Sequence, residues 1–438
     1  MKKAINVGLI GFGTVGTGVV KLLHDNAELI KKRLGRNLAI KAIADIDTKR
    51  KRSVSLRDEQ LTGDAAVILN DPDISIVIEL MGGFEPAKSF IIEAMKNRKH
   101  VVTANKALLA THGNEIFRVA DEEKVNIGFE ASVGGTIPII KTLKESLAAN
   151  NIKSIWGIMN GTSNYILSKM TEENKPFHEV LREAQELGHA EADPTYDIEG
   201  IDTAHKLAII LALSYGKNVC LDDIYCEGIS GINRQDIEFA RELDYVVKLL
   251  AIEIQRDAQI EARIHPTMIP LDHILASVNG NYNAFHIVGD ASDSVFLYGQ
   301  GSGMMPTASA VVGDLIDISR DMEKGIWRRV PLRSFCKNEI DDIQLLPMEE
   351  VITNYYFRFS AVDRPGVLSK ISGILGAHNI SIASVIQKGR KTEGTVPIVM
   401  TTHRARESNV QKALDEINKL DMVQGRTVLI RIEDPRLT

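Results

Sequence analysis

Short apolar runs alternate with longer amphipathic stretches over the first third of the chain. Ile5–Ile10 is apolar at nearly every position, and further runs of the same kind follow it. Uniformly apolar strands are typical of parallel sheets that are covered by helices on both faces. The pattern therefore predicts an α/β domain with a doubly wound parallel sheet of the Rossmann type. The further strands are predicted at Leu38–Ala44, Ile74–Ile78, His100–Thr103 and Val125–Phe129.

A glycine-rich turn joins the first strand to the first helical pattern. The sequence Gly11-Phe-Gly13-Thr-Val-Gly16 comes directly after Ile10. Gly11 allows the tight turn, Gly13 lets the backbone approach a pyrophosphate, and Gly16 lets the helix pack closely on the strand. The free amides at the helix start favour phosphate charge. We therefore predict a dinucleotide site formed by Gly11, Phe12, Gly13, Thr14, Val15 and Gly16.

The choice of dinucleotide depends on the residues that follow the second strand. Asp45 and Asp47 are suited to hold a ribose hydroxyl, as in NAD sites. The basic run that begins with Lys49 and Arg50 is suited to hold a 2′-phosphate. The same run is equally typical of a solvated helix face. We favour NADP, with NAD also usable.

Residues just past the later strands are predicted to face the nicotinamide and the substrate, because ligands bind at the carboxyl ends of the strands in such sheets. These residues are Glu79–Gly83 and Thr103–Lys106. Lys106 is the cation at this position. It is either a solvated strand-end lysine or a residue that binds a carboxylate, and we place Thr103 and Lys106 among the predicted cofactor contacts.

A carboxylate-rich loop leads into an apolar helix near the middle of the chain. Pro194 and Gly200 lie within the segment Glu191–Lys206 and predict a loop that feeds a buried helix. On that helix Asp202 and Lys206 stand four residues apart and share a face. Such a pair can orient one another, and a partly desolvated lysine can act as an acid or base near neutral pH. The alternative is a surface ion pair at a helix start.

Beyond residue 150 the pattern predicts an α+β domain with an antiparallel or mixed sheet. If helices cover one side of this sheet, its other face is left for a partner, so we expect a homodimer formed sheet against sheet, or a tetramer. The apolar helix Thr307–Ile318 is expected to return to the nucleotide domain. The predicted strands are Ile152–Met159, Tyr245–Ile254, Ala258–Ile264, Asn283–Val288 and Ser294–Tyr298, with helices near 164–171, 176–187, 201–215 and 234–243.

The last part of the chain has the predicted order βαββαβ. Asp363-Arg-Pro-Gly366-Val-Leu follows the first strand and opens a helix, and Asn379-Ile-Ser-Ile382 opens the next strand. These motifs resemble an ACT domain, which is ferredoxin-like. The resemblance implies side-by-side pairing of two domains and an amino-acid effector at the pair interface, here L-threonine, unless the domain serves assembly alone. The predicted strands are Tyr355–Ala361, Ile380–Ile386, Thr395–Thr401 and Arg426–Ile432, and the second helix is near Ser408–Leu420.

Two long motifs resemble the homoserine dehydrogenases. They are Glu130-Ala-Ser-Val-Gly-Gly-Thr-Ile-Pro138 and Asn160-Gly-Thr-Ser-Asn-Tyr165, and the segment Glu191–Lys206 extends the resemblance. It runs from the first strand to about residue 325. The resemblance implies reversible hydride transfer between L-homoserine and L-aspartate 4-semialdehyde, with a nicotinamide cofactor, in the synthesis of threonine, methionine and isoleucine. Because the first strand begins almost at Met1, we expect a single-function form with no preceding kinase.

The same resemblance implies roles for individual residues. Lys206 is similar to the acid that protonates the aldehyde oxygen as hydride arrives, and Asp202 to the group that orients that lysine or the substrate hydroxyl. Glu191 is expected to bind the substrate ammonium with Asp197 nearby, and Lys106 to lie near the reacting end or the carboxylate. The remaining expected contacts are Gly161 and Thr162 to the substrate, and Gly188 and Gly303 to the cofactor.

The resemblance also implies a structural monovalent cation such as Na⁺. Its ligands are expected to be the Glu130 carboxylate and the main-chain oxygens of Val133, Gly135 and Ile137. Hard oxygen ligands suit such an ion better than a transition metal. The alternative is that the glycines only shape the turn into a helix at Thr136–Ala149.

Length and composition limit the remaining choices. A chain of 438 residues predicts two or three domains, and the net charge of −6 argues against nucleic acid as the main partner. No apolar run reaches transmembrane length, and three cysteines without a disulfide or metal spacing fit a cytoplasmic location. The predicted divisions are 1–135 with a returning helix at about 305–325 for the nucleotide domain, 136–304 for the substrate-binding and dimerisation domain, 326–350 for a linker and 351–438 for the ACT domain.

Two other functions were weighed against this one. An aspartate-semialdehyde dehydrogenase needs a reactive cysteine beside a base, and Cys220, Cys226 and Cys336 lack such a context. An amino-acid sensor that has lost catalysis is disfavoured by the intact set of acids and lysines. We expect the four central histidines to be polar fillers rather than catalytic bases: His189, His205, His265 and His286.

Overall fold

The computed structural model describes residues 4–57, 59–387 and 395–437 and divides the chain into two compact units. The first unit contains Met1–Ile152, Asp202–Asp223 and Tyr282–Ile343, and the second contains Lys153–Ile201, Ile224–Asn281 and Gln344–Thr438. This grouping differs from the predicted division, because the ACT segment shares a unit with the middle strands and the helix that carries Lys206 belongs with the nucleotide-binding part.

The first unit is built on a parallel sheet with the strand order β3-β2-β1-β4-β5-β6. This confirms the prediction of a Rossmann-type sheet. The short β3 was not predicted because its three residues form no apolar run. The strands are β1 (Ile5–Ile10), β2 (Leu38–Ala44), β3 (Gln60–Thr62), β4 (Ile74–Glu79), β5 (His100–Thr103) and β6 (Ile127–Gly128), and the helices are α1 (Thr14–Asp25), α2 (Ala27–Leu34), α3 (Ala66–Leu69), α4 (Ala87–Lys96) and α5 (Lys106–Glu123).

The helix predicted at Thr136–Ala149 is wrong in extent. The α-helical part covers only Ile139–Lys141 and continues as a π-helical turn at Thr142–Ser146. Pro138 precedes the helix and has no amide hydrogen to donate. The next elements are α6 (Ile139–Lys141), β7 (Ile152–Ile158), α7 (Gly161–Glu173), α8 (Phe177–Glu186), α9 (Thr195–Ile198), α10 (Ile201–Tyr215), β8 (Lys217–Asn218), β9 (Tyr225–Cys226), α11 (Arg234–Glu242), β10 (Tyr245–Arg256), β11 (Gln259–Pro270), β12 (Tyr282–Gly289), β13 (Asp293–Gln300) and α12 (Met304–Glu323).

The returning helix α12 packs against α1 within the first unit. A Cβ atom built on Gly18 would lie 2.7 Å from the Met304 oxygen and 3.1 Å from the Ala308 Cβ. Glycine at this position therefore lets the two helices touch. Apolar side chains of α12, including Val311 and Leu315, are fully buried in the same core as strand β1.

The ACT segment forms the predicted βαββαβ order, with one short added strand. Its sheet joins the middle sheet, because β11 pairs in parallel with β19 at Thr267 with Arg431 and at Met268 with Ile432. The order through this part of the second unit is β7-β10-β11-β19-β15-β17-β16. The remaining elements are β14 (Asp341–Asp342), β15 (Ile352–Val362), α13 (Val367–Ala377), β16 (Ile382–Gln387), β17 (Thr395–Thr402), β18 (Ala405–Arg406), α14 (Glu407–Ile417) and β19 (Val428–Ile432).

The central strands of the middle sheet do not have the open face that was assumed for the dimer. β10 and β11 are buried at nearly every position, so side chains that point to either face are covered within a single chain. β10 and β11 therefore offer no open face to a second chain, and the sheet-against-sheet dimer stays a prediction.

Candidate active site

One carboxylate links two lysines in the first compact unit. Asp202 Oδ2 accepts a hydrogen bond from Lys206 Nζ at 2.7 Å, and Asp202 Oδ1 lies 3.2 Å from Lys106 Nζ. Asp202 and Lys206 lie in the first two turns of α10, and their side chains are only 11% and 10% exposed. This burial excludes the alternative of a solvated surface pair. The structure thus brings together three of the predicted residues, and Lys106 places them at the carboxyl end of β5.

Hydrogen bonds of the loop after β5 fix the start of α5, whose first residue is Lys106. The Asn105 side chain caps α5 by accepting a hydrogen bond from Leu108 N at 3.2 Å, and it donates to Gly83 O at 2.7 Å. Thr103, predicted as a cofactor contact, is fully buried and donates its hydroxyl to Glu79 at 2.7 Å. The Thr103 hydroxyl is therefore committed within the protein.

His205 adjoins this group on α10 and is buried. Burial lowers its pKa, with Asp202 opposing that change and Lys106 and Lys206 adding to it. An imidazole that resists protonation, in the middle of a helix, fits the expected filler role.

Five more predicted residues lie in the second unit, and Asn160 is hydrogen-bonded to one of them, Asp197. Asn160 Oδ1 caps α7 by accepting from Ser163 N at 2.8 Å, while its Nδ2 donates to Asp197 Oδ1 at 2.7 Å. Gly161 and Thr162 form the first turn of α7. Asn160 opens one of the two long motifs, but the sequence gives no signal for its double role in capping α7 and holding Asp197.

The loop that carries Gly188 and Glu191 runs from α8 to α9. Gly188 has a φ of +73°, and the Thr162 hydroxyl donates to the neighbouring His189 oxygen at 2.8 Å. Glu191 is exposed, and its main-chain oxygen accepts from Gln185 at 3.0 Å. The Glu191 carboxylate is therefore accessible at the surface of this unit.

The glycine-rich turn has the geometry that a dinucleotide site requires. Gly11 has a φ of +98°, and a Cβ atom there would lie 2.6 Å from the Leu80 backbone. A Cβ atom on Gly16 would lie 2.3 Å from the Gly11 oxygen, whereas one on Gly13 would meet no atom within 4 Å. Gly11 and Gly16 are thus needed for packing, and the space above Gly13 is open for a phosphate group.

Asp45 and Arg52, which follow β2, both contact the glycine-rich turn at Phe12. Asp45 Oδ2 accepts from Phe12 N at 2.6 Å, and Asp45 Oδ1 lies 3.3 Å from Arg52. Arg52 is nearly buried, donates to Phe12 O at 2.8 Å, and lies over the Phe12 ring. Lys49 and Arg50, the predicted phosphate ligands, are exposed. Arg52, missed as a site residue, stabilises the turn instead of facing solvent.

The loop predicted to bind a monovalent cation, Glu130–Ile137, contains the buried carboxylate of Glu130. Glu130 Oε1 and Oε2 accept from Ile140 N and Lys141 N, each at 2.9 Å, and so cap α6. Glu130 N donates to the fully buried Asp314 at 2.8 Å. Burial, followed by the charge of Asp314, raises the pKa of Glu130 to about 7. Nearby, Gly135 has a φ of +58°.

These features fit a hard monovalent cation. Lys141 Nζ lies 3.3 Å from Asp314 and offsets part of the charge of the two neighbouring acids, while each carbonyl or carboxylate oxygen can accept more than one partner. Ile139 N donates to the Ile137 oxygen at 2.8 Å, and Val133 N contacts the Glu130 oxygen at 3.4 Å. Within the described ranges, no group of three or more histidines, cysteines or acids is spaced to hold a metal.

The turn Asp363–Gly366 after β15, called here the ACT turn, borders a separate cavity of about 580 Å³. Gly366 has a φ of +91° and opens α13, so its left-handed backbone lets the chain turn from the end of β15 into the helix. The walls of the cavity also include Gln387 and Ile398 of the two following strands.

The cysteines lack the surroundings that a thioester mechanism needs. All three are exposed and unbridged. Although Cys226 as a residue is exposed, desolvation of its thiol, followed by the charges of Glu199 and Glu227, raises its pKa to about 11. This is the opposite of thiolate activation.

Among the described residues, the structure contains no helix with the length and apolarity to cross a bilayer. A nucleotide-binding sheet with an acid and amine pair beyond its strand ends defines the class as a nicotinamide-dependent oxidoreductase. Residues 11–130 match the model of the homoserine dehydrogenase NAD-binding domain, residues 138–316 that of homoserine dehydrogenase, and residues 355–421 that of the ACT domain.

Full-length relatives agree with these matches. The chain is 45% identical to a homoserine dehydrogenase of Neisseria gonorrhoeae, with 98% of this chain and 99% of the relative covered. A homoserine dehydrogenase crystal structure from Thiobacillus denitrificans superposes with a TM-score of 0.93 at 46% identity, covering 99% of each chain. A hyperthermophilic archaeal homoserine dehydrogenase mutant in complex with NADPH has a TM-score of 0.61 at 26% identity, over 72% of this chain and 97% of the other. The chain belongs to the homoserine dehydrogenase family, whose members are oxidoreductases that act on CH–OH groups.

Proposed function

We propose that this chain reduces L-aspartate 4-semialdehyde reversibly to L-homoserine, in the route to threonine, methionine and isoleucine. The observation that carries the proposal is the Asp202 carboxylate held between Lys206 and Lys106 at the strand end where a nicotinamide would lie. Lys206 supplies a proton donor and Asp202 orients its ammonium group. Carbonyl reduction requires both from the protein.

The proton transfers follow from that arrangement. A bound nicotinamide would supply the hydride, and the Lys206 ammonium would give its proton to the aldehyde oxygen, which becomes the hydroxyl of homoserine. Asp202 holds the lysine in line, and Lys106 offsets part of the negative charge of Asp202. In the reverse direction neutral Lys206 accepts the hydroxyl proton.

Four further residues are proposed to bind the amino-acid end of the substrate. An accessible carboxylate, Glu191, is suited to bind the substrate ammonium, with Asp197 held in place by Asn160. The amides and hydroxyl of the first turn of α7, at Gly161 and Thr162, are suited to bind oxygen atoms. A zwitterionic substrate needs both kinds of partner.

The proposed cofactor is NADP in preference to NAD. Asp45 is already bonded to Phe12 and Arg52, so it is poorly placed to bind a ribose 2′-hydroxyl in addition. Lys49 and Arg50 remain exposed nearby and would attract a 2′-phosphate. The NADPH named with the archaeal relative agrees with this choice. Gly303, with a φ of +125° at the start of α12, is proposed to approach the cofactor through its backbone.

We further propose a structural Na⁺ at Glu130 and L-threonine as an effector at the ACT turn. The ion would offset the paired charges of Glu130 and Asp314, and it takes no part in hydride transfer. The effector proposal rests on the cavity beside Gly366, and pairing of ACT domains would give a homodimer or tetramer. The three unbridged cysteines support a cytoplasmic location.

A single assay tests the central proposal. Oxidation of NADPH is followed in the presence of aspartate semialdehyde, with NADH as the comparison and with or without threonine. We expect turnover, a lower KM for NADPH than for NADH, and inhibition by threonine. Turnover that requires phosphate and consumes NADP⁺ would instead identify aspartate-semialdehyde dehydrogenase, and no turnover in either direction would contradict both.

A further inference from the structure

The carboxyl group of Glu79 is fully buried at the end of β4 and takes no part in the proposed reaction. Its Oε1 accepts from Met81 N at 2.8 Å and from Gly82 N at 3.3 Å. Its Oε2 accepts from the Thr103 hydroxyl at 2.7 Å. One side chain therefore binds both loops that follow β4 and β5, at the edge of the sheet where the ligand is expected.

The hydrogen bonds continue from Thr103 to the start of α5. Thr103 Oγ1 accepts from Asn105 N at 3.0 Å, so its own proton is directed to Glu79. Asn105 then connects the two loops a second time through Gly83 O and caps the helix at Leu108 N. The backbone position of the first helical residue is thus fixed from two directions.

That first helical residue is Lys106, whose ammonium lies 3.2 Å from Asp202. The Lys106 side chain is 39% exposed, so the surrounding water does not hold it in one orientation. Its direction depends on where its backbone is held. A continuous series of contacts within the first unit therefore runs from Glu79 through Thr103, Asn105 and Lys106 to Asp202.

We propose that Glu79 is a positioning residue for the reaction, which acts through Lys106 on the Asp202–Lys206 pair. The proposal rests on the function proposed above for that pair. A displacement of Lys106 by a fraction of its length would remove one of the contacts that orient Asp202, which would move the Lys206 amine away from the aldehyde oxygen. Precise placement is what such supporting residues contribute to catalysis.

The first test is Glu79→Gln, which preserves the size of the side chain. Its remaining oxygen can still accept from the two loop amides, but its amide nitrogen would face Thr103, whose proton would lose its acceptor. We expect kcat to fall about 10- to 100-fold, with a smaller change in the KM for NADPH. Glu93→Gln makes the same chemical change at an exposed position on α4 and should leave both constants unchanged.

A double-variant cycle separates positioning from a general loss of stability. In a Lys106→Met background, Glu79→Gln should lower kcat far less than in the wild-type background, because its effect passes through Lys106. Equal fold-losses in the two backgrounds would overturn the proposal. So would wild-type kcat in Glu79→Gln.

A second pair of variants covers the case in which Glu79→Gln does not fold. Thr103→Ser keeps the hydroxyl and should lose less activity than Thr103→Val, which removes it; equal losses would contradict the proposal.

A failure of the proposed mechanism can be distinguished from a failure of the role of Glu79. If Lys206→Met retained kcat, the proton donor would be misassigned, whereas loss in Lys206→Met together with full activity in Glu79→Gln would reject only the role of Glu79.

Discussion

Replacing Lys206 by methionine should abolish proton donation while leaving the fold nearly intact. Methionine keeps most of the buried aliphatic volume and removes only the amine. Removal of one partner from a buried ion pair usually costs about 3–5 kcal/mol because the other charge is stranded. Here Asp202 retains Lys106 at 3.2 Å. We therefore expect a loss of unfolding free energy of only about 1 kcal/mol, below that general range.

The catalytic effect should be much larger than the effect on stability. A positioned general acid contributes about 10²- to 10⁴-fold to rate. This range corresponds to about 3–5 kcal/mol of transition-state stabilisation. Because the proton moves only as the hydride arrives, kcat should carry the loss and KM should change less.

The comparison with Asp202→Asn sharpens the test. That variant leaves the two ammonium groups of Lys106 and Lys206 without their shared anion, so it should reduce stability more than Lys206→Met does. Steady-state NADPH oxidation gives kcat and KM, and urea unfolding gives the free energy. Lys153→Met, at an exposed site on β7, is the control and should match the wild type. Unchanged kcat in Lys206→Met would refute the assignment of the donor, and greater destabilisation by Lys206→Met than by Asp202→Asn would refute the bridging geometry.

Further predictions concern the cation, the ACT junction and the effector. The folded-state pKa of Glu130 is raised from 4.5 to about 7, so the stabilisation from its protonated form is complete below pH 4.5 and lost as pH rises through 7. Urea unfolding without Na⁺ should show a decline of at most about 3 kcal/mol from this group between pH 5 and 8. Added Na⁺ should reverse this decline, and Glu130→Gln should show neither effect. Arg431→Met should cost about 3–5 kcal/mol by stranding buried charge, whereas the exposed Arg426→Met should cost little in the same measurement; equal losses would contradict this. Asp363→Ala at the ACT turn should abolish inhibition by threonine with basal turnover kept, and the exposed Asp421→Ala should retain inhibition; inhibition that persists in Asp363→Ala would place the effector elsewhere.

The apolar strands were predictable because their pattern is strong and local. β1, β2 and β5 begin and end at the predicted residues, since the buried positions of strands covered on both faces are mostly apolar. The pairing of Asp202 with Lys206 was predictable for a similar reason, because residues four apart share a helix face.

The contacts that complete the site were less accessible to sequence reasoning. Lys106 and Asp202 are far apart in the chain, and no periodicity predicts that their side chains meet. The basic run after β2 illustrates a second limit. Composition cannot distinguish the exposed Lys49 and Arg50 from Arg52, whose guanidinium is held by Phe12 and Asp45.

The joining of the ACT sheet to the middle sheet was also beyond prediction. It depends on two residue pairs, Thr267 with Arg431 and Met268 with Ile432, in strands that are far apart in sequence. Arg431 adds a buried hydrogen bond to Glu407 at 2.6 Å and a partly buried one to Glu227 at 2.7 Å. An arginine and two acids at such distances in sequence give no pattern that would indicate their contact.

The parallel pairing of β11 with β19 has a consequence for protein engineering. A chain shortened before the regulatory segment would expose unpaired amides and carbonyls on β11, and such edges promote intermolecular strand pairing and aggregation. A variant that lacks the proposed effector site is therefore better obtained by point substitution at the ACT turn than by deletion, unless a shielding strand is supplied in place of β19.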